Sequence, residues 1–251
     1  KSLDSNLKFV LAELQNLLLY IPNIVHESVP DELIPKDNII IRKWGSKPAG
    51  YIKYKDHFEI CDNLKLLDFP RASKMSGTGF PLYTGLGAKL ERSLINYMLD
   101  FHLENHGYKE LMPPFLTTRA ATITTGQLPK LEEDMYHIPS DDLFCIPTAE
   151  VPVTNFHRDE ILSEKELPRK YVAYSACFRK EAGSYGKETR GLLRVHQFNK
   201  VELVKFVTPE NSFDELESLT QDAEEILQSL GLHYRVLELC AGDLSFAAAK
   251  C

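Results

Sequence analysis

The densest chemistry in the sequence lies between residues 178 and 202. It reads Phe178-Arg179-Lys180-Glu181-Ala182-Gly183-Ser184, then Arg190-Gly191-Leu192-Leu193-Arg194-Val195-His196-Gln197-Phe198 and Lys200-Val201-Glu202. Residues 179–194 hold Arg179, Lys180, Lys187, Arg190 and Arg194 against only Glu181 and Glu188, a local +3 in a chain of formal charge −7. A phosphate-bearing ligand wants such a patch. Arg179 and Glu181 are two apart at a strand end, so they share a face. Phe198 and Glu202 share a face of the returning strand, roughly 13 Å apart at about 3.3 Å per residue. Phe198 there offers a stacking surface for a base. From spacing alone, a long hairpin with solvated charges and a core Phe198 explains the stretch equally well.

Two smaller constellations follow. In Pro147-Thr148-Ala149-Glu150-Val151-Pro152, Thr148 and Glu150 share a face and could hold an ammonium group by hydroxyl and carboxylate. As a bare tripeptide that signal is weak. Thr124-Thr125-Gly126-Gln127-Leu128-Pro129-Lys130 reads on its own as a loop or turn. His102 and His106 stand four apart near a helix end, but they lack the Glu of an HExxH motif. A charge role at the helix C-terminus is expected of them, and no metal site. Gly85-Leu86-Gly87 is a helix lead-in with no third glycine, so it is not a dinucleotide fingerprint. No Ser-His-Asp or Cys-His arrangement can be argued from order alone.

These residues need elements to position them. Leu3, Leu7, Val10, Leu14 and Leu17 are spaced 4, 3, 4, 3 and form a heptad seam, with Pro22 just past its end. An amphipathic helix lying on a core and the end of a coiled-coil arm both fit that seam. Residues 22–48, rich in proline and charge, read as a linker or irregular edge. A helix runs from Leu86 to His106 with Gly107 as its stop, then a strand-like Tyr108–Phe115. Alternating strands at Tyr171–Arg179 and Val195–Val207 flank a turn-rich loop at 182–194. Thr208-Pro209-Glu210 supplies a cap, an N1 proline and a first-turn acid for a helix through Leu230. Residues 234–240 make one more strand. The set predicts an α+β fold around a largely antiparallel sheet.

Composition narrows the classes. Lys plus Arg number 29 against 36 Asp plus Glu, which argues against coating nucleic acid through bulk positive charge. Hydrophobic residues at 43% and charged residues at 26% are those of an ordinary globular chain. The longest apolar run, Leu17 to Ile21, falls far short of the roughly 18 residues a membrane span needs. Five cysteines, odd in number and without a CxxC pair, read as thiols of a reducing cytosol, so a cytoplasmic protein is expected. The chain opens at a lysine inside a periodic segment, which suggests a piece of a longer protein.

Taken together, these residues resemble the seryl-tRNA synthetase family of class II aminoacyl-tRNA synthetases. Leu90-Glu91-Arg92 through Leu99-Asp100, then His106-Gly107-Tyr108 to Pro113-Pro114-Phe115, look like class II motif 1. Thr125-Gly126-Gln127-Leu128-Pro129-Lys130, Thr148-Ala149-Glu150, and Phe178–Phe198 with Glu202 match the family's TGQLPK, T-x-E and motif 2. The likeness spans about Ile21 to Lys250.

The resemblance implies a class II antiparallel sheet flanked by helices and preceded by the end of a coiled-coil arm. Residues 1–21 would be the end of that tRNA-binding arm and 22–251 the catalytic core, cut before motif 3. It implies a homodimer through motif 1, ATP and Mg²⁺ as cofactors, and L-serine and tRNA(Ser) as partners, with selenocysteine tRNA a further acceptor in many members. The catalytic residues would be Arg179 and Glu181. Arg179, Lys180, Glu181, Arg194, Val195 and Phe198 would bind ATP; Thr148, Ala149, Glu150, Arg179 and Glu202 would bind serine. A paralogue that loads a carrier protein and a non-catalytic nucleotide-binding module are the rival readings.

Overall fold

The computed structural model describes residues 2–47, 54–182 and 191–251. Most of the loop placed at 182–194 therefore lies outside the described residues. In chain order the elements are α1 (Ser2–Leu18), β1 (Ile39–Trp44), α2 (His57–Asn63), α3 (Phe69–Ser76), α4 (Leu86–His106), β2 (Lys109–Leu111), β3 (Leu116–Thr118) and α5 (Arg119–Thr124). There follow β4 (His137–Ile138), β5 (Leu143–Cys145), α6 (Glu150–Thr154), β6 (Arg169–Phe178), β7 (Gln197–Phe206), α7 (Ser212–Ser229) and β8 (Tyr234–Glu238). They divide into two compact units. One comprises Lys1–Lys47, Thr122–Glu132 and Leu227–Cys251, the other Pro48–Ala121 and Glu133–Ile226.

In the first unit, α1 carries the heptad seam where the spacing placed it. All five seam residues are exposed, from 50% at Leu14 to 84% at Leu3. A helix lying on a core would bury that stripe, so the core-packed alternative fails. The proline-rich stretch at 22–48 is not all linker, because it contains β1. That strand pairs antiparallel with β8, Ile39 opposite Glu238 and Trp44 opposite Tyr234, and the register shifts between Ile40 and Arg42. Trp44 and Tyr234 stack with ring centroids 5.9 Å apart.

The second unit is built on the β6–β7 ladder. Ten residues of each strand pair antiparallel, from Arg169 opposite Phe206 to Phe178 opposite Gln197. β2 joins the other edge of β6 in parallel, which the sequence did not foretell. A separate antiparallel sheet runs β3-β5-β4. Ala149, Val153, Tyr171 and Ala173 form a buried cluster under Leu111, Val204 and Phe206. Phe144, Ile146 and Val172 are fully enclosed. Among the described residues no helix is long and apolar enough to cross a membrane.

Helix α4 runs over the predicted span and ends at Gly107, whose left-handed backbone (φ +68°) donates its N–H to His102 O. Near its start the close approach of two backbones demands a glycine. A Cβ at Gly87 would stand 2.1 Å from Leu66 O. Thr84 N also donates to that carbonyl at 2.9 Å, which fixes it in place. The far end of α4 meets α7 and β7 in a polar cluster. The Nδ1 atoms of His102 and His106 lie 2.8 Å apart, and His106 Nε2 is 3.0 Å from Glu225 Oε2. Tyr108 Oη donates to Asp222 at 2.6 Å, and Lys205 Nζ lies 3.1 Å from Glu215 and 3.3 Å from Asp222. Burial first, and His106 next, push the His102 pKa down to about 4. His102 is therefore neutral at physiological pH and cannot supply the expected helix-end charge. The start of α7 departs in detail too. Pro209 opens a short 3₁₀ turn, Pro209–Asn211, for which the Thr208 side chain provides no cap. Its hydroxyl accepts from Asn211 Nδ2 instead, at 3.1 Å.

Gly87→Ala should lower stability by about 1–3 kcal/mol, the range for overpacking. Helix propensity alone would raise it by about 1 kcal/mol, so the sign is diagnostic. Urea denaturation decides, and an unchanged or raised midpoint would refute the close approach.

Candidate functional site

The β6–β7 register fixes the site. Directly paired residues of an antiparallel ladder point to one face. Ala173 stands opposite Glu202, Ser175 opposite Lys200, and Cys177 opposite Phe198. The alternation continues to Arg179, whose N–H donates to His196 O at 2.9 Å. One face thus presents short side chains from β6 and Phe198, Lys200 and Glu202 from β7, with Arg179 at the hairpin end. Arg179 lies over the Phe198 ring, its Cζ 5.1 Å from the centroid.

The segment entering α6 lies across the other end of this face. Thr148 is buried and donates its hydroxyl to Glu202 Oε2 at 2.6 Å. The same hydroxyl accepts the Glu150 N–H at 3.1 Å, and Ala149 between them is fully buried. Lys200 Nζ also reaches Glu202 Oε2, at 2.5 Å. Two protein donors therefore converge on one carboxylate oxygen. Spacing had suggested Thr148, Glu150 and Glu202; Lys200 was missed, because a lysine within a strand reads as a solvated charge.

Glu150 completes the group. Its side chain is exposed to solvent, yet neighbouring protein atoms partly desolvate its carboxyl. That desolvation first, and the Glu202 charge second, raise its pKa, while Lys200 and Arg179 pull the other way. Two carboxylates thus face one space with a single lysine paired to one of them. Such a site attracts a second cation of ammonium size.

The residues expected on the nucleotide side lie at the hairpin end. Glu181 Oε2 meets Arg194 Nη1 at 3.0 Å. Lys180 N donates to Asp134 O at 2.8 Å, and its ammonium lies 6.0 Å from the Tyr136 centroid. Val195 is buried. Lys187, Arg190 and Glu188 lie outside the described residues.

Thr125–Lys130 belong to the first unit and form a tight loop there. Gln127 N and Leu128 N both donate to Thr122 O, at 3.1 and 3.2 Å. The Thr125 hydroxyl donates to Gln127 Oε1, and Gly126 takes φ +79°. Lys130 Nζ sits 4.6 Å over the Phe246 ring.

Comparisons with known proteins bear directly on this geometry. Residues 134–251 match the family model of the tRNA synthetase class II core domain (G, H, P, S and T). The serine–tRNA ligase of Geobacillus kaustophilus is 60% identical over 250 residues, covering 100% of this chain and 59% of the relative. That of Caldicellulosiruptor bescii is 62% identical over 236 residues, covering 94% and 56%. The chain thus spans about three-fifths of the length of these relatives. Among solved structures, seryl-tRNA synthetase from Pyrococcus horikoshii, complexed with ATP, superposes with TM-score 0.94 at 35% identity. That match covers 99% of this chain and 60% of the other. Cytoplasmic serine–tRNA ligase from Naegleria fowleri, in complex with AMP, superposes with TM-score 0.90 at 34% identity, covering 98% and 59%.

The raised pKa of Glu150 has a thermodynamic sign. A carboxyl whose folded pKa lies above its ordinary value of 4.5 binds more protons folded than unfolded. Stability then falls as pH rises through that window. Glu150→Gln should raise the melting temperature of the ligand-free chain at pH 7 by roughly 1–2 °C, a figure discounted for partial solvation. The gain should vanish below pH 4, where glutamate is protonated. Thermal melts at both pH values provide the check, and a lower melting temperature at pH 7 would contradict the repulsion.

Proposed function

From a chain that belongs to the seryl-tRNA synthetase family of class II aminoacyl-tRNA synthetases, we propose a serine–tRNA ligase core that joins L-serine to ATP and passes it to tRNA(Ser). The observation that carries the reading is the sheet face on which Thr148 and Lys200 hold Glu202, with Glu150 beside it and Arg179 stacked on Phe198. One end suits an ammonium and a hydroxyl, the other a phosphate and a base.

In the proposed reaction the serine carboxylate attacks the α-phosphate of ATP in line. The bond from that phosphorus to the bridging oxygen breaks, and pyrophosphate leaves. A ribose hydroxyl at the tRNA 3′ end then takes the seryl group from adenylate, releasing AMP. No covalent enzyme intermediate is required, so the protein's work is placement and charge stabilisation. Arg179 forks onto the α-phosphate, a task that suits a planar guanidinium better than an ammonium. Its stacking on Phe198 holds that plane in place. Glu181 and Arg194 orient the adenine end, where the Val195 backbone meets the base and Phe198 stacks on it. Lys180 adds positive charge near the phosphates. Thr148, Ala149 and Glu150 receive the serine ammonium, and Glu202 Oε1 accepts from the serine hydroxyl. Alanine would leave that oxygen desolvated and unpaired, a penalty that can reach about 10⁴-fold.

Among the described residues no group of three His, Cys, Asp or Glu is placed to hold a metal ion. Mg²⁺ is therefore proposed to arrive on the nucleotide's own phosphates, and no step here depends on it. Residues 1–21 are proposed as the end of the tRNA-gripping arm, and 22–251 as the catalytic core ahead of motif 3. The exposed seam of α1 supports that reading. The cytoplasm is the compartment, and selenocysteine tRNA is a second proposed acceptor.

Serine-dependent ATP–pyrophosphate exchange by an enzyme carrying this chain tests the proposal. Glu202→Gln should raise the serine KM about ten- to hundredfold, the worth of a charged hydrogen bond. It should also weaken rejection of alanine while the ATP KM stays within about twofold. Arg179→Ala should cut the exchange rate by about 10³-fold. Unchanged serine affinity with collapsed ATP affinity in Glu202→Gln would overturn the assignment of that carboxylate.

A homodimer through motif 1 belongs to the same proposal. A groove of about 490 Å³ runs along α4 past Ala88, Ile95 and Leu99 to Met112. Met112 is 86% exposed, and Leu86 and Leu90 are exposed as well. A second copy covering this apolar strip accounts for it. Light scattering at micromolar concentration should return twice the chain mass, and a folded monomer would refute the interface.

A further inference from the structure

We propose that Asp134 is a positioning residue of the nucleotide site, holding Glu181 in a left-handed backbone that aims its carboxylate at Arg194 and the base. The inference rests on the reading above and extends it to a residue outside the motifs. Two contacts carry it. Lys180 N donates to the Asp134 carbonyl at 2.8 Å, and Ala182 N donates to Asp134 Oδ1, also at 2.8 Å. The residues on either side of Glu181 are thus pinned to one aspartate.

Glu181 itself has φ +52°. A residue with a Cβ adopts that region only where its surroundings over-determine it. The strain at Glu181 and the two-point clamp around it are cause and counterpart. With the Oδ1 acceptor removed, the Ala182 amide loses its partner and Glu181 is free to relax to negative φ. That rotation would swing its carboxylate away from Arg194 Nη1, now 3.0 Å from Oε2.

The clamp has a firm base. Met135, the next residue, is almost fully buried, and the Tyr136 carbonyl accepts the Cys145 N–H of β5 at 2.9 Å. Asp134 is therefore fixed to the sheet β3-β5-β4, while the residues it holds begin the loop that leaves β6. It links one sheet to the edge of the other at the point where the nucleotide would bind. Nothing about Asp134 alone in the sequence signals this, since its partners are main-chain N–H groups more than 40 residues away.

The test uses an enzyme carrying this chain and three substitutions. Asp134→Ala should raise the ATP KM about tenfold, the loss of a hydrogen bond plus released strain. The serine KM should stay within about twofold. Asp134→Asn keeps an Oδ1 acceptor and should restore the ATP KM to within about twofold of the parent. On a Glu181→Gly background, where the carboxylate and the strain are both gone, Asp134→Ala should add nothing to the ATP KM. Hydrogen exchange gives a readout independent of activity. The Ala182 amide should lose protection in Asp134→Ala and keep it in Asp134→Asn without ligand. The inference is overturned if Asp134→Ala leaves the ATP KM and the Ala182 amide unchanged. Equal losses for both substrates, an Asn variant as poor as the Ala variant, or additive effects with Glu181→Gly would overturn it too. Absence of serine-dependent exchange in the parent enzyme would instead overturn the function proposed above, and the Ala182 amide would still decide the clamp.

Discussion

The β6–β7 register is the constraint on which the site depends. Ala173 opposite Glu202 and Cys177 opposite Phe198 put acid, lysine, aromatic ring and arginine on one face of one hairpin. A slip of one residue would turn all of them to the opposite face, since strand side chains alternate with period two. Ten consecutive pairs fix that register, and Val172, Ala173, Ala176 and Cys177 are buried along β6. The hydrophobic pattern that folds the hairpin is therefore the same pattern that aims the polar groups. The β6 residues facing the site, Ala173, Ser175 and Cys177, are all short. Their size leaves room above the strand for the long side chains of β7 and for a small ligand among them.

Charge at this face is left deliberately incomplete. Lys200 and Thr148 both spend themselves on Glu202 Oε2, and the Glu150 pKa is raised by partial desolvation and by the Glu202 charge. Lys200 and Arg179 offset only part of the repulsion between the two carboxylates, since the pKa of Glu150 stays raised. On the proposed function, an arriving ammonium would relieve the repulsion, and part of its binding free energy would come from electrostatic strain already present in the protein. The same repulsion lowers the stability of the unliganded fold. Enclosed apolar residues elsewhere, such as Phe144, Ile146 and Val172, carry the stability that tolerates it.

Much of this was legible in the sequence, for identifiable reasons. Helix α4 announced itself through a long apolar periodicity and a terminal glycine, and β6 and β7 through alternation over ten residues each. Thr148, Glu150, Arg179, Phe198 and Glu202 could be singled out because they match motif residues of the family that the chain resembles; their spacing alone left a solvated hairpin equally open. What escaped was non-local. β1 lay hidden among prolines because its partner, β8, is almost 200 residues away and its register is bulged. β4 and β5 are two and three residues long, too short for any alternation to register. Lys200 and Asp134 took their meaning from partners that only the folded chain brings near. His102 failed as a helix-end charge because burial, invisible to spacing, keeps it neutral.

The two ends of the site are held by different kinds of contact. Around Thr148 and Glu202 the contacts run from side chain to side chain between buried or half-buried groups, at 2.5–2.6 Å. Such contacts tolerate little displacement, which suits a pocket that must tell a hydroxyl from its absence. Around Glu181 the backbone is held by main-chain donors onto one aspartate, and the side chain reaches an arginine that is half exposed. Of these contacts the Glu181–Arg194 pair is the one that water can compete for, because the arginine is half exposed, whereas the backbone clamp on Asp134 is anchored beside the buried Met135. On the proposed function, the end at Thr148 and Glu202 would take the amino acid and the end at Glu181 the nucleotide of a two-step transfer. In that proposed reaction the amino acid would have to stay placed through both steps, while the mouth of the site would admit ATP, release pyrophosphate and then receive the end of a polynucleotide.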